Sequence, residues 1–429
     1  MTAGNKRIPT TYTDRAIGFI DCLIEPMIQL EIRFAESLDA ERLRKAIDLT
    51  LDAEPVLGCR LVSHWRRPYF ERLEQSAAGA FLYTEDEAAY EAFKRASIDV
   101  SQGPQIRVYL WHSTSGDRLL LKVSHLCSDV SGVKEAVGLI SDIYSRLGQD
   151  LGYKPETNAS GSRSLWQVMR HVPWHAYPRI YLNYLQGLRS QMPKEGSHTL
   201  PYGEGPSTQT VFVHRLIPED RVARLIDYGR AFDATLNDLV IAAILRALVV
   251  EADWNRASYL RLATSVDLRQ WYPPNERAEA IANLSSLEYT NLGRDLGDDF
   301  PATLERVATD TKRRKANWIG LSDLMGGLPS VLLPDVWAKS LYQRTLRRVI
   351  KKGNLPPGLT NMGPISPQSV TLDTPALQAW LLPPPCLPPY FLTGLSGYRG
   401  TLSLSAGVRL HQKDLAERFF DRVLSELPA

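Results

Sequence analysis

The stretch Ser124-His125-Leu126-Cys127-Ser128-Asp129-Val130-Ser131-Gly132 gathers an imidazole, a thiol, three hydroxyls and a carboxylate. An imidazole titrating near neutral pH can take a proton from an attacking alcohol or amine, and a carboxylate four residues on can fix the loop that carries it. The spacing alone is weak, because an HxxxD arises by chance about half a time in a chain of this composition. Asp129 or Ser131 capping a following helix, with His125 a satisfied and partly buried ring, accounts for the same residues. Cys127 is a rival nucleophile that would form an acyl-enzyme. Against it, catalytic Cys and His usually come from distant segments, and cysteines are commonly buried. The serine-hydrolase elbow GxSxG and the phosphate loop GxxxxGK[ST] are absent. His171 and His175 stand four apart, but Pro173 lies between them and no HExxH glutamate accompanies them, so no metal site is expected.

The motif needs rigid elements around it. Ile28, Leu30, Ile32 and Phe34 alternate with polar residues, the period of a half-buried strand. Leu43, Ala46, Ile47, Thr50 and Leu51 follow at helical spacing until Pro55. Ile106, Val108 and Leu110 predict a second strand, and the turn at Ser113 to Asp117 joins it to a third, Arg118 to Val123, as a hairpin. The motif comes next, followed by a helix whose buried stripe is Val133, Ala136, Val137, Ile140, Tyr144 and Leu147. From about Asp150 to Pro206, Gly, Pro, Ser and Asn clusters surround Trp166, Trp174, Tyr177, Tyr181 and Tyr184, which reads as a crossover. A second cycle opens with a strand at Val211 and Val213 and a helix from Pro218 through Arg230. An amphipathic helix is expected from Leu236 to Val249, with Thr235 and Asp238 as a capping box. Strands at Tyr259 to Val266 and Thr401 to Val408 and a last helix carrying Leu415, Phe419, Val423 and Leu427 complete it. Both halves open strand then helix, so the expected fold is α/β with two similarly built lobes: 1–150 with the motif, 151–206 as the linker, and 207–429 as the second lobe.

Composition narrows the function classes. The chain of 429 residues is 44% apolar and 23% charged, ordinary for a globular protein and long enough for two cores. A formal net charge of +2 is too small for a general nucleic-acid binder. The polar start, Met1 to Thr13, has no signal-peptide core, and the longest apolar run, Leu239 to Val250, is broken by Arg246 and too short to span a bilayer. Four cysteines without CxxC spacing suit a reducing compartment, so a cytoplasmic protein is expected.

The motif and its surroundings resemble the chloramphenicol-acetyltransferase-like acyltransferase superfamily, above all nonribosomal-peptide condensation domains and their stand-alone relatives. Ser124 to Gly132 resembles that family's HHxxxD motif, which also sits between a strand and a helix. Glu54-Pro55-Val56-Leu57-Gly58-Cys59-Arg60 looks like its first lobe, and Ala234 to Ala243 (ATLNDLVIAA) like its second-lobe ATxNDxxLAA helix. Ser265-Val266-Asp267-Leu268-Arg269, Thr360-Asn361-Met362-Gly363 and Gly400 to Ser405 are similar to its later strands.

The resemblance implies two lobes in a V with a tunnel at their junction, an acyl thioester entering from one face and the acceptor from the other. His125 matches the histidine that deprotonates or positions the acceptor, and Asp129 the aspartate that pairs with an arginine. Arg60, Arg269 and Arg15 are all candidates for that partner. Ser124 and Ser128 are expected near substrate, and Thr360 and Asn361 as oxyanion donors, although Asn361 also reads as a turn residue before Gly363. No resident cofactor is implied, since coenzyme A or a carrier's phosphopantetheine arm is a co-substrate. The expected activity is acyl transfer to an amine or hydroxyl in natural-product biosynthesis, possible partners being a small acceptor and an acyl or peptidyl carrier protein. The alternative is a non-catalytic relative that binds a carrier or an acyl ligand. Two lobes and a crossover are expected to fill the chain, so that a carrier arrives as a separate partner.

Two departures bear on activity. Ser124 replaces the family's first histidine, and Val130 replaces a glycine, where a β-branched residue is expected to narrow the tunnel or bar a positive φ. Two basic clusters, Lys312-Arg313-Arg314-Lys315 and Arg344, Arg347, Arg348, Lys351 and Lys352, could meet phosphates or an acidic carrier, or could be solvated helix faces. Leu382 to Pro389 (LPPPCLPP) reads as a stiff extended loop with recognition as an alternative.

Overall fold

The computed structural model describes residues 7–74, 79–191, 199–201, 205, 207–254 and 258–429. Parts of the expected crossover and of the polar N-terminus lie outside these residues.

The alternating segment 28–34 forms the strand Met27–Phe34, which pairs antiparallel with Arg118–Ser124, Ile28 opposite Val123. Arg118–Ser124 pairs in turn with Ile106–Trp111, the expected hairpin. Phe81–Thr84 extends this sheet in parallel beside Ile106–Trp111. The helices Ala40–Ala53 and Val130–Gln149 cover it, and their buried stripes are those expected from spacing. Together they close the first core, in which Leu30, Ile32, Leu43, Ile47, Leu121, Val133 and Ile140 are fully enclosed.

A six-stranded sheet organises the second half, in the order Ser285–Gly293, Leu260–Asp267, Gly358–Pro364, Leu392–Tyr398, Thr401–Arg409 and Thr210–Ile217. It packs on the helices Leu236–Glu251 and Lys413–Glu426, with Leu245, Leu404, Phe419 and Phe420 inside. The Thr235/Asp238 capping box is present, with both reciprocal bonds made. Leu236–Glu251 is not amphipathic: Leu239 through Leu245 are all buried, so the helix is enclosed on almost every side and its apolar residues form no stripe.

The division at residue 207 is crossed by one strand. Ala376–Leu382 leaves the second half and becomes the edge of the first sheet, pairing antiparallel with Met27–Phe34, Leu381 opposite Leu30. The proline-rich stretch carries the chain back to the second sheet. Pro383, Pro384, Pro385 and Cys386 are buried, the Cys386 amide donates to the Gly407 carbonyl, and the Glu25 amide donates to that of Pro385. This stretch is thus a structural strap and offers little free surface for recognition. The fold is α/β and two-lobed. Among the described residues no helix is long and apolar enough to cross a membrane.

Candidate active site

The strand Arg118–Ser124 ends at Ser124, and the helix Val130–Gln149 starts at Val130, so His125 sits on a four-residue loop fixed at both ends. The ring Nδ1 lies 2.8 Å from the Ser128 carbonyl oxygen. A carbonyl only accepts, so Nδ1 carries the hydrogen and Nε2 keeps its lone pair. Burial lowers the imidazole pKa, an effect opposed by the Ser128 carbonyl and the Asp129 charge, so the ring is poised in its neutral, basic form.

Asp129 is the N-cap of the following helix: its Oδ1 accepts from the Gly132 amide at 3.0 Å. Its Oδ2 accepts from the Leu284 amide at 2.7 Å and from Arg269 Nη1 at 2.7 Å. Of the three candidate partners Arg269 is therefore the one that reaches Asp129. Arg60 is bound to Glu71 on the neighbouring strand, and Arg15 to Asp335. Ser131 donates to Asp267 Oδ2 at 2.6 Å, a second bond between the motif helix and the second sheet. The bland reading of Asp129 as a cap and the functional reading as an ion-pair partner are both realised, one on each carboxylate oxygen.

Three further residues hold the loop from beneath. Arg163 makes a two-pronged bond to Asp14, at 3.0 and 3.1 Å, and donates to the backbone carbonyls of Cys127 (2.7 Å) and Ile281 (2.9 Å). Asn283 Nδ2 donates to Asp14 Oδ1 at 2.8 Å and to the His125 carbonyl at 2.9 Å. The Asn283 side chain also favours a charged His125 ring, and its Oδ1 is buried without a hydrogen bond. The residues come from the first helix, the crossover and the second half, so no local spacing announced them. The one visible sign was Thr11 with Asp14, the same T-x-x-D box as Thr235 with Asp238.

Several expected residues have other roles. Ser124 and Ser128 are fully buried and do not face substrate. Ser124 Oγ accepts from the Leu126 amide and Ser128 Oγ donates to the Asp129 carbonyl, so both shape the loop. Asn361 spends much of its side chain on a local bulge: Oδ1 accepts from the Gly363 amide at 2.9 Å and one Nδ2 hydrogen goes to Asn237 Oδ1 at 3.1 Å, which leaves the second Nδ2 hydrogen without a protein acceptor. Thr360 accepts from Ser265 at 2.9 Å and so keeps its own hydroxyl proton to donate. Cys127 is buried with its thiol donating to the Ser124 carbonyl, and burial raises its pKa, so it is a poor nucleophile. Val130 opens the helix without a positive φ, and the glycine the loop needs is Gly132, where a Cβ would fall 2.4 Å from Ser128 Oγ. His171 pairs with Glu276, and among the described residues no three His, Cys, Asp or Glu side chains are grouped to hold a metal.

The two basic clusters also part company. Lys312 pairs with Asp233, and Arg313 and Arg314 with Asp310, so the first is mostly neutralised within its lobe. The second runs along the helix Asp335–Lys351 and just past its end, exposed and without ion pairs among the described residues.

No protein-family model matches the chain, and no curated protein matches it by sequence. Solved structures do match over its whole length. Polyketide synthase associated protein 5 from Mycobacterium tuberculosis superposes with a TM-score of 0.68 at 16% identity, covering 98% of this chain and 97% of that one. A trichothecene 15-O-acetyltransferase from Fusarium sporotrichioides gives 0.69 at 12% identity, over 100% and 97%. The first condensation domain of the CDA synthetase gives 0.67 at 16% identity, over 98% and 96%. At these identities the likeness establishes the fold: a chloramphenicol-acetyltransferase-like condensation fold.

Proposed function

We propose that this chain, built on the two-lobed condensation fold, moves an acyl group from a thioester to an amine or hydroxyl acceptor, with His125 as general base. The observation that carries the reading is the His125 ring itself, held in the tautomer that leaves Nε2 basic, on a loop pinned across the lobes by Asp129 and Arg269. In the proposed step Nε2 takes the acceptor's proton as its nitrogen or oxygen forms a bond to the thioester carbonyl. The Thr360 hydroxyl is the proposed donor to the resulting oxyanion. Collapse breaks the carbon–sulfur bond and returns the proton from His125 to the leaving thiolate. The solved neighbours include two kinds of acyl-transfer chemistry on this fold, peptide condensation and O-acetylation, in keeping with this reading.

The lowered His125 pKa has a definite kinetic consequence. The base must be neutral, and its folded pKa lies below the ordinary histidine value of about 6.5. kcat/KM should therefore stay on its plateau as pH falls through 6.5 and decline only at lower pH. An acid limb centred at or above 6.5, measured with a donor that does not itself titrate there, would contradict the assignment.

The donor is proposed to be carried by a separate acidic carrier protein, or by coenzyme A, arriving at the helix Asp335–Lys351. Its exposed face presents Trp337 and Leu341 beside the unpaired Arg344, Arg347 and Arg348. Reversing Arg347 and Arg348 to Glu should raise KM for a carrier-bound donor by about tenfold and flatten its salt dependence, while sparing a short thioester that lacks carrier and phosphates. Equal KM values and unchanged salt dependence in the double variant would remove this face from donor docking.

A further inference from the structure

A groove of about 370 Å³ opens between the two halves of the chain, at the end of the helix Glu87–Arg95 and beside the start of the strand Thr210–Ile217. Arg95 and Ser97 line it from the first lobe, and Thr208, Gln209 and Arg409 from the second. Ala92 and Ala96 on the helix side have no atoms beyond Cβ and take up little of the space. Glu25 completes the lining and ties the groove to the motif. The next residue, Pro26, accepts from the His125 amide at 2.8 Å through its carbonyl, and Met27 pairs with Ser124.

The two arginines are held differently. Arg95 stays at the surface, 42% exposed, and its ion pair with Glu91 is long at 3.5 Å. An exposed pair of that length restrains a side chain weakly, so this guanidinium is free to turn to a ligand. Arg409 is fixed: Nη2 pairs with Glu25 Oε1 at 2.9 Å, and Nη1 donates to Thr210 Oγ1 at 2.8 Å and to the Thr208 carbonyl. Among the described residues these contacts engage three of its five N–H groups, and two remain for a ligand.

The free carbonyls at a helix C-terminus repel anions. Here Lys122, buried on the strand Arg118–Ser124, offsets them: its ammonium donates to the Phe93 and Ala96 carbonyls, both at 2.6 Å, and it has no carboxylate partner among the described residues. Three cations, Arg95, Arg409 and Lys122, thus stand against two carboxylates, Glu25 and Glu91, and one positive charge is left over. A single excess charge suits a monoanion, and guanidinium forks match the two oxygens of a carboxylate. The Ser97 and Thr208 hydroxyls and the Gln209 amide have no hydrogen-bond partner among the described residues and can bond the rest of a polar ligand.

We propose that this groove, between Arg95 and Arg409, binds a carboxylate on the acyl acceptor. The groove adjoins the motif loop without containing His125, so the acceptor is an amino acid or hydroxy acid whose carboxylate and reacting group are separated by a carbon chain. None of the lining comes from the helix Asp335–Lys351, the face proposed for the donor, so the two substrates do not compete for it. The inference rests on the acyl-transfer reading for the acceptor's role, though not for the binding of a carboxylate.

Binding tests it without turnover. 6-Hydroxyhexanoate and 6-hydroxyhexanamide, equal in length, are titrated calorimetrically into the full-length protein near pH 7.5, as wild type and as His125→Ala. The acid should bind about tenfold more tightly than the amide. Arg95→Gln should erase that preference with the amide affinity unchanged. Ser97→Ala combined with Thr208→Val should weaken the acid several-fold with both arginines intact. Arg230→Gln, on the exposed face of the helix Glu219–Ala231, should leave the preference as it is. Equal binding of acid and amide by the wild type, a preference that survives Arg95→Gln, or one that is lost equally in Arg230→Gln overturns the site. Because the His125→Ala protein should keep the preference, losing catalysis and losing the carboxylate site are separate outcomes.

Discussion

Replacing Arg163 with Ala should cost about 3–5 kcal/mol of folding stability, the range seen when one partner of a buried ion pair is removed. The Arg163 and Asp14 side chains are 6% and 1% exposed. Without the guanidinium, the buried Asp14 carboxyl is left with the Asn283 side-chain amide and the Thr11 backbone amide as donors, and the carbonyls of Cys127 and Ile281 lose a donor in the dry interior. Arg163 also lies over the Phe70 ring at 5.1 Å, so packing is lost together with charge. Urea unfolding measures the effect as a lowered midpoint at unchanged slope. Arg163→Lys should recover only part of it, because an ammonium cannot reproduce the two-pronged bond to Asp14. A loss below about 1 kcal/mol would show that the network under the motif is dispensable.

His125→Ala should lower kcat/KM for acyl transfer by about 10²–10⁴-fold, the usual contribution of a positioned general base, and leave stability nearly unchanged. The separation follows from position: the ring lies in the loop and among the described residues its hydrogen bond goes to the Ser128 carbonyl, whereas the loop backbone is anchored independently by Arg163 and Asn283. His125→Gln keeps a polar side chain and removes the base, so it should be as inactive as Ala. Full activity in either variant would take His125 out of the mechanism and leave the fold's binding role as the better account.

The strands and helices around the motif were legible because their signals are local. Period-two alternation announced Met27–Phe34 and the hairpin, helical spacing announced Val130–Gln149, and T-x-x-D announced the cap at Thr235. Ser285–Gly293 was missed because it is an edge strand whose polar and apolar residues do not alternate cleanly. Ala376–Leu382 could not be assigned to the first sheet from sequence, since its partner Met27–Phe34 lies more than three hundred residues earlier. The helix at 236 was expected to be amphipathic, yet it is enclosed on almost every side: Arg246 pairs with Glu426 and Asp238 serves the cap.

The site divides along the same line. His125 and Asp129 stood out through the motif's resemblance and not through spacing alone, and Arg269 only as one of three candidates, because the choice depends on how the second half folds back over the first. Asp14, Arg163 and Asn283 were unreadable, each being ordinary in its own stretch of chain and significant only where the three meet. Ser124 and Ser128 were expected near substrate, whereas both are buried and their hydrogen bonds shape the loop.

The central claim is tested most directly by incubating the purified protein with an acyl thioester and a panel of amine and hydroxyl acceptors and following both the acceptor and the intact protein by mass spectrometry. The account predicts an acyl-acceptor product that depends on His125, with free thiol released in equal amount and no acyl adduct on the protein at any time. A thioester left unconsumed with carrier-bound and coenzyme A donors alike, or an acyl group found on Cys127, would contradict it.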